Sequence, residues 1–470
     1  MKYHDLTIEA SDVSIESADQ RLRASFKVRV LASPAGEMTP DQALRVECDM
    51  QKLQSEVVKL EARELEGERL IALGRTLGLL LLPLGQNNSI SGVRELFARS
   101  LDMVGADAGL RLRLRLPREL AAWPWEYTYI ERVGAEDTMA GFVALDPRVA
   151  IVRHEALPVP AATSPAQGNI KIVAALASPP HLAQLDLEQE RLNLAAVLEK
   201  QEGIEPIFLD DATLDDVQRV LAGASIFHFA GHGNFEVSAS QAGTGMAGKG
   251  WLALKDQNID AEQLGITLRG HSICLAVLGA CKTGSRDSNS VWGGIAPALC
   301  RCDVPAVVAN QFSIKDKCAV AFSRQFYRAL VGGHPIERAV AAGRIAAFHA
   351  DRDGRDWGVP VLYLRTADGE LFKGASNANV RTAAHQGAEA DVVVHAKEVA
   401  AGGVVVGAGV TKFLAGKLRA EVTIAGTVYG AVTGARFDEF TGGTAAVKTD
   451  VDVVGAGGKV TGVKVDRLGR

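Results

Sequence analysis

The sequence predicts an α/β protein: a mostly parallel sheet flanked by helices, with an N-terminal α+β region before it and a C-terminal all-β module after it. Three observations carry this. Between residues 170 and 372, short apolar runs alternate with helical patterns, the rhythm of a parallel sheet covered on both faces. Residues 1–155 mix strand-like alternation with a stretch rich in Leu, Glu, Lys and Arg. From 373 to 470, Gly, Val, Ala and Thr dominate, and neither Pro nor Trp occurs. A Pro/Ala stretch within 156–169 reads as a linker.

Taken in order, Leu22 to Val30 alternates apolar and polar residues as a strand does. Thr39 to about Leu80 reads as helical, with Pro40 placed to start a helix and Pro83 to stop one. Leu110-Arg111-Leu112-Arg113-Leu114-Arg115-Leu116 predicts a half-buried strand with its arginines in solvent. After the linker come strands at Ile170–Leu176, Ile207–Leu209, Ser225–Phe229, Ile273–Gly279, Val304–Ala309 and Val361–Leu364. Helices are expected at Leu185–Leu198, Asp211–Leu221, Asp316–Leu330 and Pro335–Ala350. In the last part three segments align on glycine, starting at Gly403, Gly426 and Gly458. They predict short strands stacked as a small solenoid or sheet, with self-assembly through strand edges as the alternative.

Composition removes several function classes. The 470 residues hold 51 Lys+Arg against 56 Asp+Glu, a net charge of −5, which argues against a dedicated nucleic-acid binder. The apolar runs Leu77–Leu84 and Val404–Val410 are far shorter than the ~18–20 residues of a membrane-spanning helix. No apolar run follows the N-terminal Lys2, so a cytoplasmic protein without a signal peptide is expected. Six cysteines in such a length are too few for a disulfide framework. Cys300 and Cys302 form a C-x-C with no second pair at zinc spacing, so no metal is expected.

Two strand ends carry chemistry. The strand Ser225–Phe229 runs into Ala230-Gly231-His232-Gly233, and the strand Ile273–Leu278 runs into Gly279-Ala280-Cys281-Lys282-Thr283-Gly284. Each sets one reactive side chain between glycines where a buried strand leaves the sheet, the edge at which ligands bind in such folds. If the strands are neighbours, an imidazole and a thiol meet there, and a histidine base turns a thiol into a nucleophile. The N–H groups of Gly233 and Cys281 are then available to a developing oxyanion. Alone, either residue reads as an ordinary loop or core residue; matched on two strands, they read as a pair. His228, inside its strand between Phe227 and Phe229, reads as structural.

These residues resemble the CHAT family of cysteine peptidases, relatives of caspases, separases and gingipains. The family forms A-G-H-G and G-A-C-x-T-G are matched at 230–233 and 279–284. Further matches are Ser178-Pro179-Pro180, Leu185 to Glu190, Val307 to Phe312, Trp357 to Tyr363, and the upstream Trp123-Pro124-Trp125-Glu126. The resemblance implies a caspase-like core in which His232 is the general base and Cys281 the nucleophile, passing through a thioester with no cofactor. It implies that Gln311, Phe312 and Ser313 line the pocket for the residue before the cut. Asp316 fits either the floor of that pocket or the cap of the following helix. The implied setting is a bacterial, regulated pathway such as antiphage defence or programmed cell death. Protein substrates are then expected, with a sensor or adaptor recruited by the C-terminal β segments. No 34-residue helical repeat occurs. The rival reading is a silent caspase-like scaffold whose β segments mediate assembly. Gly243 to Gly250 nearly spells a phosphate-binding loop, but its last position lacks a hydroxyl and Trp251–Leu254 reads as a strand, not the required helix.

Overall fold

The computed structural model describes all residues except 1, 19–20, 86–91, 132–137, 155–165, 168, 183, 200–202, 238–247, 281–291, 367, 374–387, 397–403, 414–415, 429–430, 441–443, 455–458 and 466–470. The linker stretch, the near phosphate loop and Cys281 therefore fall wholly or mainly outside the described residues. Two compact units divide at Ala375/Ser376.

In the first unit, β1 (Lys2–Ala18), β2 (Arg21–Ala32) and β3 (Leu44–Asp49) form an antiparallel meander. The helices α1 (Met50–Glu61), α2 (Gly67–Leu81) and α3 (Val93–Val104) follow. The helical expectation from Thr39 holds only from Met50 onward. Pro40–Gln42 is a single 3₁₀ turn, and Leu44–Asp49 pairs with the edge of β2, tertiary pairing overriding local preference. Asp49 then starts α1 by accepting from the Lys52 N–H.

Next come β4 (Ala108–Arg115), the short α4 (Arg118–Ala121) and β5 (Val149–Arg153). The alternating arginines of β4 are not in solvent: Arg111 is 2% and Arg113 6% exposed, as buried as the leucines between them. β4 lies inside the sheet between β1 and β5, and the burial of its successive residues shows that both of its faces are covered. Arg111 pairs with Asp5 and Glu337 at 2.5 Å each, and Arg113 pairs with Asp5 at 2.9 Å. Only Arg115 of the three is exposed.

The two-residue β6 (Ala166–Gln167) precedes the expected alternation: β7 (Ile170–Ala177), α5 (Leu187–Leu198), β8 (Ile204–Leu209), α6 (Leu214–Val220) and β9 (Ile226–Gly231). Helix starts obey their caps, with Asp186 accepting from Gln189 N–H and Thr213 forming a capping box with Asp216. A small antiparallel sheet of β10 (Gly233–Val237), β11 (Gly248–Ala253) and β12 (Asn258–Asp260) follows. Then come α7 (Ala261–Arg269), β13 (Leu275–Ala280), α8 (Trp292–Arg301), β14 (Ala306–Asn310), α9 (Asp316–Val331), α10 (Ile336–Ala350) and β15 (Pro360–Leu364). α7 and α8 are absent from the sequence reading, although parallel neighbours require such crossovers. β16 (Phe372–Lys373) pairs with β6.

Eleven strands of this unit join one sheet of order β3-β2-β1-β4-β5-β15-β14-β13-β9-β7-β8. Its pairs are parallel except within the β1–β2–β3 meander and between β14 and β15. The compositional break near 155 is not a break in hydrogen bonding, because β5 pairs with β15 at Val152–Leu362 and Arg153–Tyr363. Side chains alternate between two cores: Leu275 and Val277 enter one, Ala276 and Leu278 the other.

In the second unit, β17 (Ala388–Ala396), β19 (Gly416–Val428) and β21 (Thr444–Val454) form one parallel sheet, and β18 (Val404–Phe413), β20 (Ala431–Phe440) and β22 (Lys459–Val465) another. Ala388 pairs with Gly416, Lys417 with Thr444, Val404 with Ala431 and Ala431 with Lys459, so each strand stacks on the next but one, 27 or 28 residues along. This corrects the glycine alignment. The segments after Gly403 and Gly458 lie in one sheet, but Gly426–Val428 ends β19 in the other, and Ala431-Val432-Thr433 of β20 is the segment that pairs with both.

Candidate active site

β9 and β13 are adjacent and parallel, in register from Ile226–Leu275 to Gly231–Ala280. The chain continues from that last pair into His232 on one strand and Cys281 on the other. His232 is 6% exposed, and its carbonyl accepts from the Ala253 N–H at 3.0 Å. Gly233 opens β10 opposite Leu252. Gly231 is required where it stands, since a Cβ there would lie 2.6 Å from the Ala177 carbonyl oxygen. β11 occupies the place where a phosphate-binding loop would need a helix.

The four residues expected to line the substrate pocket have these contacts. Gln311 is 7% exposed, and its amide donates to Glu126 Oε2 (3.0 Å) and to the Gly358 carbonyl (2.9 Å). Glu126 is in turn paired with Arg153 at 2.7 Å. This buried group ties the Trp-Pro-Trp-Glu segment to the strand ends. Beside it the rings of Tyr127 and Trp357 pack at a tilt of 55° with centroids 5.1 Å apart, and those of Phe142 and Trp357 at 56° and 4.8 Å. Phe312 lies under the Arg355 guanidinium at 5.2 Å. Ser313 accepts from Arg63 through its hydroxyl (3.2 Å) and its carbonyl (2.8 Å). Asp316 is exposed and is the first helical residue of α9, not its cap; Lys315 holds that position, with its N–H on Asp356 Oδ2 at 2.6 Å. A carboxylate in a first turn favours the helix dipole.

A cavity with room for water-sized occupants of about 30 Å³ opens beneath the ends of β9, β13 and β14. Its polar lining is Glu190, His228, Asn310 and Ser323, set among Val277, Val308, Ile314 and Phe322. His228 is 1% exposed; its Nδ1 is 2.8 Å from the Tyr327 hydroxyl, and its Nε2 lies 3.6 Å from Glu190 Oε1 without a hydrogen-bond partner among the described residues. Glu190 Oε1 also lies 3.6 Å from where a Cβ on Gly279 would stand, two residues before Cys281. His228 thus has the structural bond expected of it and a second face on a cavity. Glu190 lines this cavity without having been singled out in the sequence, though a signal existed: it falls four and eight residues before the buried Leu194 and Leu198, a carboxylate on the apolar stripe of α5.

Three of the other thiols sit where burial disfavours the thiolate. Burial pushes the Cys274 and Cys318 thiols up to about 12 and that of Cys48 up to about 11. Among the described residues one cluster has metal-ligand chemistry, Cys318 with Asp351 and Asp356. Lys315 and Lys317 already hold Asp351, at 2.6 and 3.0 Å. No helix among the described residues is long and apolar enough to cross a membrane.

Two solved structures of the Saccharomyces cerevisiae separase–securin complex are similar to this chain, at 10% and 11% identity and a TM-score of 0.38 each. They align over 76% and 77% of this chain but only 30% of the separase chain. No curated protein sequence matches. The CHAT domain family model matches residues 81–381, from the end of α2 past β16, and so spans well over half of the sequence and every element around the cavity and the two strand ends. The chain belongs to the CHAT domain family.

Proposed function

We propose that the protein is a bacterial-type cysteine endopeptidase working through His232 and Cys281. What supports this reading is the ladder between β9 and β13, whose last pair, Gly231–Ala280, is followed on each strand by one of the two residues. In the reaction His232 takes the Cys281 thiol proton and the sulfur attacks the peptide carbonyl carbon. The tetrahedral oxyanion is met by the N–H groups of Gly233 and Cys281. The C–N bond then breaks, His232 returns the proton to the departing amine, and a thioester remains. Water, deprotonated by His232, cleaves the thioester and restores the thiol. No cofactor or metal takes part. The substrates are proteins, met in the cytoplasm in a regulated defence or cell-death pathway. Cys281→Ala and His232→Ala are each expected to lower cleavage of a peptide library by about 10⁴-fold while leaving thermal unfolding unchanged. Cleavage that survives Cys281→Ala would overturn the reading.

The ladders of β17–β22 favour a second role beside the first: a module that recruits a sensor or adaptor, or assembles copies through its outer strands. A silent scaffold would do the same without cleavage. Cys281→Ala separates the two, because a scaffold is indifferent to it.

A further inference from the structure

The second unit is built by translation. Its layers, β17 with β18, β19 with β20 and β21 with β22, are laid parallel one on the next, and consecutive strands touch across the two sheets. Gly407, Gly434 and Gly462 each stand three residues into their strand, so the layers follow one plan. An outer layer of such a stack offers a further strand the same row of N–H and C=O groups that an inner layer offers its neighbour. Among the described residues no strand pairs with the outer edges of β17 and β18, or with those of β21 and β22.

The register positions of the charged residues say what fits there. Alternate residues of a strand share a face. On one face of β17, β19 and β21 the columns read Glu389–Lys417–Thr444, Asp391–Arg419–Ala446, Val393–Glu421–Lys448 and His395–Thr423–Asp450. Opposite charges thus fall on neighbouring layers three times. On the other face, columns such as Ala390–Leu418–Ala445 and Val392–Ala420–Val447 are apolar. In the second sheet Lys412 is in register with Glu439, and Arg436 with Lys464 is the exception.

Carrying the same frame one layer further sets β17 of a second copy beside β21. Thr444 then comes into register with Glu389 of that copy, Ala446 with Asp391, Lys448 with Val393 and Asp450 with His395, while Ala445 and Val447 continue the apolar columns at Ala390 and Val392. In the other sheet β22 comes beside β18, with Val460 at Val405 and Val463 at Ala408. No like charges oppose each other, and one acid meets a histidine. Like ends fit worse. A two-fold pairing of β21 with β21 runs antiparallel, against all four ladders of the unit, or runs parallel with the charged face of one copy beside the apolar face of the other.

We propose that the second unit binds a second copy of this chain end to end, β21 and β22 of one copy against β17 and β18 of the next, in the frame of its own layers. Such a contact is head-to-tail and leaves one free end on each side, so copies add in an open row and do not close as a dimer. The proposal rests on the assembling role given to this module above and names its partner and polarity; it does not depend on Cys281.

The test is sedimentation velocity of the full chain at increasing concentration, beside the double variant Thr444→Glu, Ala446→Asp. Inside one chain the two new acids stand in register with Lys417 and Arg419, so the charge pairing of the unit is kept. Between copies they stand against Glu389 and Asp391. The wild type is expected to give a growing series of oligomers, and the variant to need about 10-fold more protein for the same series. Adding Glu389→Gln and Asp391→Asn to the variant should recover most of that loss, which a mere defect in folding would not. Should the double variant fail to fold, Thr444→Glu alone sets up one of the two oppositions and should shift the series about 3-fold. A wild type that stays monomeric overturns the stack and the assembling role together, and leaves the module to a sensor or adaptor. A dimer that does not grow, or association unmoved by the acids, overturns the stack and leaves assembly by another surface. Loss of cleavage with the series intact touches the peptidase reading alone.

Discussion

Two polar clusters sit at the ends of strands in one sheet, and the fold treats them in opposite ways. Glu126, Arg153 and Gln311 are closed on one another and on backbone carbonyls. Between Glu190, His228 and Tyr327 there are one short bond and one approach of 3.6 Å, and a small cavity lies beside them. A buried network with its bonds made acts as mortar, whereas the second leaves His228 Nε2 without a hydrogen bond among the described residues. The first cluster looks like a site by sequence, since Gln311 stands at a place where relatives line a pocket, yet its amide is already committed.

That contrast can be attacked directly. The largest effect on stability is expected from Glu126→Ala, which leaves the Arg153 guanidinium buried without its carboxylate and should cost about 3–5 kcal/mol in urea unfolding. A loss below about 1 kcal/mol would put this cluster on the same footing as the other. Tyr327→Phe removes the one short bond of the open cluster and should cost about 1 kcal/mol by the same measurement. The smallest effect is on reactivity. With thiols pushed up to about 12, Cys274 and Cys318 are thiolate to roughly one part in 10⁵ at pH 7, because burial disfavours the charged form. Iodoacetamide at pH 7, read by peptide mass spectrometry, should therefore label Cys281 and spare those two until the chain is unfolded. Rapid labelling of Cys274 in the folded protein would contradict its buried place just before β13.

What could be read beforehand follows from the range of the interactions involved. The strands from Ile170 to Leu364 announce themselves because both their faces are buried, and the A-G-H-G and G-A-C stretches because glycine marks the strand ends. Their adjacency, needed for any pairing of His232 with Cys281, is a sheet property that no local pattern contains. The arginines of β4 were unreadable for the same reason. Their partners Asp5 and Glu337 lie 106 and 226 residues from Arg111, so alternation alone could only suggest solvent. The glycine segments of the last hundred residues misled because spacing was compared between strands that belong to different sheets.

The junction between β5 and β15 has a practical consequence. A fragment trimmed to the compositional boundary, beginning near residue 170, would amputate β5 and strip one whole side of β15. It would also remove Glu126 from Gln311 and Tyr127 from Trp357. Such a piece would present a raw, adhesive seam of peptide groups two strands away from the one that leads to Cys281. The first 155 residues are thus less a neighbour of the later strands than their missing half, and a worker wishing to handle the CHAT unit in isolation should cut after residue 375, not before residue 170.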